Sequence, residues 1–284
     1  MHFNEQLAWL VNAALREDVG DGDHSTLSSI PASSKGKAIL KIKQDGILAG
    51  VEVAKKIFHL VDPASNFNQM KSDGDFMKAG ELAFEVEAHV HAILKCERLV
   101  LNCMQRMSGI ATLTKTYTDK LKGYKTKLLD TRKTTPNFRL LEKEAVKIGG
   151  GINHRFGLFD MIMLKDNHID YAGGIEKAIE HAHQYVIKVK PDLKIEVETR
   201  SIEDVKRVIK CGKDKVFRIM LDNFTPQQIK DALAIINGQI PAGNIALEFT
   251  HLKMCSLGSD KIFSRYPTHP KLYLVGHKSR ADSA

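Results

Sequence analysis

The chain has 284 residues, of which 43% are hydrophobic and 27% charged, values typical of a globular enzyme with one large or two unequal domains. Its 42 Lys and Arg residues exceed its 34 Asp and Glu residues, and the net charge of +8 favours anionic partners without choosing among nucleic acid, membrane headgroups and small metabolites. Four scattered cysteines without a C-x-x-C pair argue against a disulfide scaffold and a structural zinc site. With no signal peptide and no membrane-spanning apolar run in sight, we expect a cytoplasmic protein.

The first 120 residues are predicted to mix helices and strands. Apolar residues at helical spacing predict helices, and alternating apolar and polar residues predict half-buried strands. The predicted helices cover 5–17, 51–61 and, as one or two buried helices, 92–121; the predicted strands cover 37–43 and 82–90.

After about residue 125, short apolar runs that end in a charged residue alternate with helical stretches. Five runs are predicted as strands: Lys127–Asp130, Met161–Lys165, Ile195–Glu198, Ile219–Asp222 and Ile245–Glu248. Continuous apolar strands separated by helices predict a parallel sheet covered by helices. Because no dinucleotide-binding loop accompanies them, we favour a closed barrel with an apolar interior over an open, doubly wound sheet.

Charged residues stand at the carboxyl ends of these strands, where barrels of this type carry their functional groups. They are Asp130, Lys165, Glu198, Asp222 and Glu248. An acid at one strand end is more often a helix N-cap or an ion-pair partner. Asp222 could simply start the next helix, and Lys165 could lie in a solvated loop. Repetition over five strands favours a charged mouth above the barrel.

The segment from Asp130 to Arg155 concentrates the cations. Arg132 offers a fork for a carboxylate or phosphate, and Lys133 adds a compact charge. The glycines 149–151 allow backbone amides to approach an anion closely. A flexible loop is the alternative for three glycines alone, but the His154–Arg155 pair that follows favours a binding site.

These segments resemble the signature of the quinolinate phosphoribosyltransferases, also called nicotinate-nucleotide pyrophosphorylases (carboxylating). The main motifs are Asp130-Thr-Arg-Lys-Thr-Thr-Pro136, Gly149-Gly-Gly-Ile-Asn-His-Arg155 and Leu164-Lys-Asp-Asn-His168, with Glu97-Arg98, Glu196-Val-Glu198 and Leu221-Asp-Asn223 in support. The resemblance implies the type II phosphoribosyltransferase fold, an N-terminal α/β sandwich with an incomplete TIM-like α/β barrel. The corresponding predicted domains are 1–115 and 116–270, followed by a C-terminal segment, 271–284, that returns to the N-terminal domain or is disordered.

The family's reaction is the second implication. It transfers phosphoribosyl from phosphoribosyl pyrophosphate to quinolinate, giving nicotinate mononucleotide, CO2 and pyrophosphate in de novo NAD synthesis, with Mg²⁺ and no organic cofactor. From the sequence features we expect no nucleic-acid partner and no membrane partner. The implied quinolinate and phosphate ligands are Arg132, Lys133, His154 and Arg155, and the implied catalytic residues are Lys165, Glu198 and Asp222, the two acids also serving Mg²⁺. Arg98 is expected to reach the site of the partner subunit in a homodimer or larger oligomer.

The family motif ends at Glu248. Relatives continue with a Ser-Gly-Gly stretch that opens a helix, whereas this chain continues with Phe249-Thr-His-Leu-Lys253. We therefore assign no residue to the 5′-phosphate site. Two alternatives stay open: a related transferase that uses another base such as nicotinate, and a catalytically impaired relative. A nucleic-acid binder is disfavoured, because Lys and Arg are dispersed and no binding motif is present.

Overall fold

The computed structural model describes residues 3–239, 246–250 and 272–277. The chain forms two compact units, Met1–His154 with Ile262–Ala284, and Arg155–Lys261. The described part of the first unit contains the helices α1 (Phe3–Val19), α2 (His24–Ser29), α3 (Val51–Val61), α4 (Val90–Lys120) and α5 (Arg139–Ile148), and the strands β1 (Lys35–Ile42), β2 (Gly46–Ile47), β3 (Asn66–Gln69), β4 (Phe76–Met77), β5 (Leu82–His89) and, from the C-terminal segment, β10 (Leu272–His277).

An antiparallel sheet and a long helix organise the first unit. The sheet has the order β10-β1-β5-β3. The predicted helices 5–17 and 51–61 and the strands 37–43 and 82–90 are confirmed, and 92–121 forms the single helix α4. Buried side chains on α4, such as Met104 and Met107, join Leu40, Phe58 and Phe84 in one apolar core. Burial of this apolar surface is the main stabilising contribution to the unit.

The predicted strand Lys127–Asp130 is wrong. Within the described residues it makes one isolated parallel bridge, between Leu129 and Ile152. Two backbone hydrogen bonds support that bridge, from Asp130 N to the Ile152 carbonyl at 3.1 Å and from Ile152 N to the Leu128 carbonyl at 2.8 Å. The partner segment turns away after one residue, so apolar character alone does not extend the ladder.

The second unit contains a parallel sheet covered by helices. Its described strands are β6 (Ile162–Leu164), β7 (Ile195–Thr199), β8 (Arg218–Asp222) and β9 (Ala246–Thr250), and its described helices are α6 (Asp166–Ala172), α7 (Ile175–Val189), α8 (Ile202–Gly212) and α9 (Pro226–Gln239). The strands pair in the order β6-β7-β8-β9, all parallel. Four of the five predicted strands are thereby confirmed, together with the alternation of strand and helix.

The register of this sheet separates an apolar face from a polar one. Val197 pairs with Ile219, and both belong to the apolar cluster formed with the helices. One residue away, Glu196 pairs with Arg218, and alternation along the strands directs these side chains to the opposite face. The Arg218 Nη1 and Glu196 Oε2 atoms are 3.3 Å apart, and Glu196 is fully buried. The prediction of an interior filled by apolar side chains is therefore wrong at this position: the face away from the helices carries a buried ion pair.

The predicted domain limits stay a prediction. The boundary after residue 115 falls inside α4, whereas the two compact units separate between His154 and Arg155. β10 pairs antiparallel with β1 over Lys37–Ile42. Most of the segment after Glu248 that departs from the family motif lies outside the described residues. Of the helices that the structure describes, none combines the length and the apolar character that crossing a bilayer requires.

Candidate active site

The loop that carries Arg132 and Lys133 is fixed by its own backbone and by α5. The Arg132 carbonyl accepts hydrogen bonds from Thr134 N at 2.9 Å and from Arg139 Nη2 at 3.2 Å. Lys133 N donates to Thr131 Oγ1 at 3.0 Å. The Nε atom of Arg132 is buried without a hydrogen-bond partner among the described residues, so it is a donor that an anionic ligand would satisfy.

Asp130 is buried and does not form part of an exposed charged mouth. Its side chain forms an ion pair with Lys143 on α5, and it accepts a hydrogen bond from His154 N at 2.8 Å. Lys143 Nζ also donates to the His154 carbonyl at 3.0 Å. Burial raises the pKa of Asp130 above its ordinary value, although the ion pair opposes that shift. The acid that opens the sequence motif thus anchors the segment at His154.

Gly149 allows a close approach of the backbone to α4, and the prediction that the amides of the three glycines cradle an anion is wrong. Each of their amides is used at the end of α5: Gly149 N donates to Ala145, Gly150 N to Lys147 and Gly151 N to Val146. A Cβ atom at Gly149 would lie 2.6 Å from the Ala111 carbonyl oxygen on α4. The sequence requires glycine here because the chain turns against a helix backbone.

In the second unit, Lys165 and Glu198 come together. Lys165 follows β6, Glu198 lies on β7, and their Nζ and Oε2 atoms are 3.0 Å apart. The Glu198 side chain is 11% exposed and that of Lys165 is 45% exposed, so the pair opens to solvent on the lysine side. Lys165 N donates to His168 Nδ1 at 3.0 Å, which holds the backbone at the start of α6.

Asp222 lies at the end of β8 and is not the cap of the next helix. Thr225 takes that role, because Gln228 N donates to Thr225 Oγ1 at 3.3 Å and Thr225 N donates to the Gln228 side chain at 2.8 Å. The Asp222 carboxylate accepts a hydrogen bond from Asn223 Nδ2 at 2.8 Å. Asn223 adopts a left-handed φ of 57°, which asparagine tolerates better than most residues and which ends the strand sharply.

The remaining predicted residues differ in accessibility. Arg155 is mostly buried and donates from Nη1 to the Met161 carbonyl at 3.1 Å. Arg98 on α4 and Lys133 are exposed cations. The structure therefore pairs Lys165 with Glu198 and links Arg132 and His154 through α5, each within its own unit. The roles of all eight predicted site residues stay a prediction.

Sequence reasoning missed the buried charges that hold the site residues. Glu142 and Lys143 on α5 are 0% and 1% exposed, and Arg106 on α4 contacts Glu142. The available signal was a pair of adjacent opposite charges in the first half of an amphipathic helix. The Glu196–Arg218 pair was also missed, although Glu196 and Glu198 are two residues apart on one strand and so share a face.

Comparison with known proteins matches both parts of the chain to one family. The model of the N-terminal domain of quinolinate phosphoribosyl transferase matches residues 23–108, and that of the C-terminal domain matches residues 110–269. The second match continues beyond Glu248, where we expected the resemblance to end.

Individual relatives agree with that result over most of their length. The chain is 42% identical to quinolinate phosphoribosyltransferase [decarboxylating] 1 of Nicotiana glauca, covering 94% of the chain and 80% of the relative. It is 41% identical to the chloroplastic nicotinate-nucleotide pyrophosphorylase [carboxylating] of Arabidopsis thaliana, covering 94% and 81%. The solved nicotinate-nucleotide pyrophosphorylase of Francisella tularensis superposes with a TM-score of 0.81 at 32% identity, covering 96% and 97%.

The two-part α/β fold, shared with this solved structure, is that of a type II phosphoribosyltransferase, as predicted. More particularly, the chain belongs to the quinolinate phosphoribosyl transferase family.

Proposed function

We propose that the chain catalyses transfer of the phosphoribosyl group from phosphoribosyl pyrophosphate to quinolinate, with loss of CO2, as a step of de novo NAD synthesis. The observation that carries this proposal is 41–42% identity, over 94% of the chain, to enzymes whose names state the decarboxylating reaction. The products are nicotinate mononucleotide, CO2 and pyrophosphate.

The chemistry accounts for the residue types. The quinolinate nitrogen forms a bond to the ribose C1′ as the bond from C1′ to the pyrophosphate oxygen breaks, and positive charge develops on the sugar. Nearby carboxylates stabilise that charge. Ribosylation makes the ring cationic, and the ring then accepts the electron pair of the bond to the departing carboxylate. A proton from solvent replaces CO2 on the ring carbon.

Quinolinate brings two carboxylates, whose transfer out of water is favourable only opposite fixed cations. We assign this role to Arg132, Lys133, His154 and Arg155. The buried, unsatisfied Nε of Arg132 supports the assignment, because a carboxylate would supply the missing acceptor. Mutual anchoring of the Arg132 loop and the His154 segment by α5 supports it further.

Lys165, Glu198 and Asp222 are proposed to act on the ribose and the diphosphate. The ion pair between Lys165 and Glu198 holds the two side chains together before substrate binds. When the ligand binds, it would replace this mutual contact. Lys165 could then approach the substrate, and Glu198 could accept a hydrogen bond from a ribose hydroxyl. Asp222 follows on the neighbouring strand, with Glu198 in register with Met220, two residues before it.

Mg²⁺ fits this set as a companion of the diphosphate. Among the described residues no group of three or more His, Cys, Asp or Glu side chains could hold a metal ion. Mg²⁺ needs no such cage, because it commonly keeps several waters and binds one or two carboxylates together with substrate phosphates. Glu198 and Asp222 would supply those carboxylates, and the ion would neutralise the leaving pyrophosphate.

A homodimer or larger oligomer is proposed as the active form, with Arg98 reaching the partner's site. Support comes from its exposure: a long cation on the surface of α4 is available to an anion outside its own unit. A cytoplasmic location is proposed on the sequence features alone.

The test is a product assay on the purified chain. Quinolinate, phosphoribosyl pyrophosphate and Mg²⁺ should yield nicotinate mononucleotide, detected by mass spectrometry, and omission of any one of the three should abolish the product. Calorimetric titration with phosphoribosyl pyrophosphate, with and without Mg²⁺, gives a readout of the metal that does not depend on turnover. Nicotinate should be a poor substrate, because it lacks the second carboxylate. Comparable turnover of nicotinate and quinolinate would favour the related transferase over this proposal.

A further inference from the structure

We propose that the first half of α5 is a positioning device for the substrate-binding loops, acting through Arg139, Glu142 and Lys143. This inference rests on the proposed function, because the positioned groups are Arg132 and His154. The three α5 residues are positioning residues. Their side chains contact the loop around Arg132 and the segment at His154, and they are not assigned to the substrate.

Arg139 holds the Arg132 segment directly. Its Nη2 donates to the Arg132 carbonyl at 3.2 Å, and its Nε donates to Thr134 Oγ1 at 2.9 Å. One planar guanidinium thus fixes two points of the loop that are two residues apart. Since a carbonyl held in place fixes the plane of the following peptide, this contact sets the direction in which Arg132 and Lys133 leave the backbone.

Glu142 holds the end of the same loop. It accepts hydrogen bonds from Thr135 N at 3.1 Å and from Thr135 Oγ1 at 2.8 Å. Its charge is balanced by Arg106 on α4, whose Nε and Nη2 lie 3.0 and 2.6 Å from Glu142 Oε1. Arg106 Nη2 also donates to Thr135 Oγ1 at 3.1 Å. The loop is therefore closed at Thr135 by a buried carboxylate that α4 neutralises.

Lys143 holds the second segment. Successive helical residues point about 100° apart, so Lys143 faces a different neighbour from Glu142. It pairs with Asp130 and donates to the His154 carbonyl, while Asp130 accepts from His154 N. In its chemically favoured orientation, the Asn153 amide donates to the second Asp130 oxygen at 2.8 Å. The backbone N–H and carbonyl of His154 therefore both form hydrogen bonds with the buried Asp130–Lys143 ion pair.

Stability alone is a weak explanation for this arrangement. Apolar residues of similar volume often replace buried ion pairs at little cost or with a gain, and we infer that the pairs in this protein define one loop geometry. Here the geometry defined is that of the two segments assigned to quinolinate. Displacements of about 1 Å at such groups are enough to cost large factors in binding or rate.

The experiment compares Arg139→Met with Lys147→Met, a control on the same helix whose exposed lysine pairs only with Glu144 among the described contacts. Arg139 is half-buried, so its replacement is expected to leave the fold intact. We expect the quinolinate KM and the calorimetric Kd to rise about tenfold in Arg139→Met, with kcat within about threefold of wild type. Arg139→Lys, which keeps the positive charge and one donor nitrogen in place of two, should recover part of the loss. The control should match wild type.

A second variant tests the same inference in case Arg139→Met does not fold. Asp130→Asn combined with Lys143→Met removes both buried charges and should be folded, yet it should also raise the quinolinate KM about tenfold, because the lysine contact to His154 is gone. Wild-type KM and Kd in both altered proteins, beside an active wild-type enzyme, would overturn the positioning role. A loss confined to kcat would overturn it too. A wild-type chain without quinolinate turnover would instead sink the proposed function, and this inference with it.

Discussion

Replacement of Lys143 by methionine should strongly destabilise the fold, because it removes one member of a buried ion pair. Lys143 is 1% exposed and its partner Asp130 is 4% exposed. Removal of the cation leaves a buried carboxylate whose remaining partners are a backbone amide and an amide side chain. Loss of one member of a buried pair costs about 3–5 kcal/mol, which for a chain of this size lowers the melting temperature by roughly 6–20 °C.

A double-mutant cycle separates the pair from other effects. Asp130→Asn with Lys143→Met removes the uncompensated charge, so we expect the double variant to recover at least about half of the lost free energy of unfolding. The assay is urea unfolding followed by circular dichroism on wild type, both single variants and the double variant. A Lys143→Met protein within about 1 kcal/mol of wild type, or a double variant as unstable as that single variant, would refute the reasoning.

The pH dependence of Lys143→Met gives an independent check. Burial already raises the pKa of Asp130, and loss of the lysine removes the main opposing effect. An acid with a higher pKa in the folded than in the unfolded chain binds more protons when folded, between the two pKa values. The variant should therefore regain stability as the pH falls toward the ordinary Asp value. If the free energy of unfolding of Lys143→Met instead fell further below that of wild type as the pH was lowered, the predicted sign would be wrong.

Three further predictions concern single positions. Arg132→Ala and Lys165→Ala should each lower turnover by about a hundredfold or more while shifting the melting temperature by no more than about 2 °C, measured by steady-state kinetics and calorimetry. Gly149→Ala should destabilise the fold by about 1–3 kcal/mol in urea unfolding, since its Cβ would meet the Ala111 carbonyl oxygen at 2.6 Å. Arg207 lowers the pKa of Glu176 to about 2, so the contribution of this exposed pair is present above the ordinary Glu pKa and lost as the pH falls through about 2. Because solvent screens this exposed pair, Glu176→Gln should shift the melting temperature at neutral pH by no more than about 1 °C.

The strands and helices were predictable where burial creates periodicity. α4 follows from its regular apolar residues, and β7 and β8 follow from short apolar runs between helices. The approach of Lys165 to Glu198 also follows from sequence, because carboxyl ends of parallel strands meet at one edge of a sheet. These features depend on local pattern and on one general rule of topology.

Other features depend on partners far away in the sequence. The glycine at position 149 is required by Ala111 and Thr114 on α4, and the burial of Asp130 is made possible by its contacts with Lys143 and His154. No local pattern states which distant backbone a glycine must approach or which charge a buried acid will meet. For the same reason, the run at Lys127–Asp130 had the composition of a strand, while its pairing was limited to a single bridge.

The most direct measurement of the central claim is the release of labelled CO2 from quinolinate that carries the label in its 2-carboxylate. The account predicts one equivalent of labelled CO2 for each nicotinate mononucleotide formed, strictly dependent on phosphoribosyl pyrophosphate. Binding of quinolinate without any release of label, at saturating cosubstrate and Mg²⁺, would contradict it and identify the chain as a catalytically impaired member of its family.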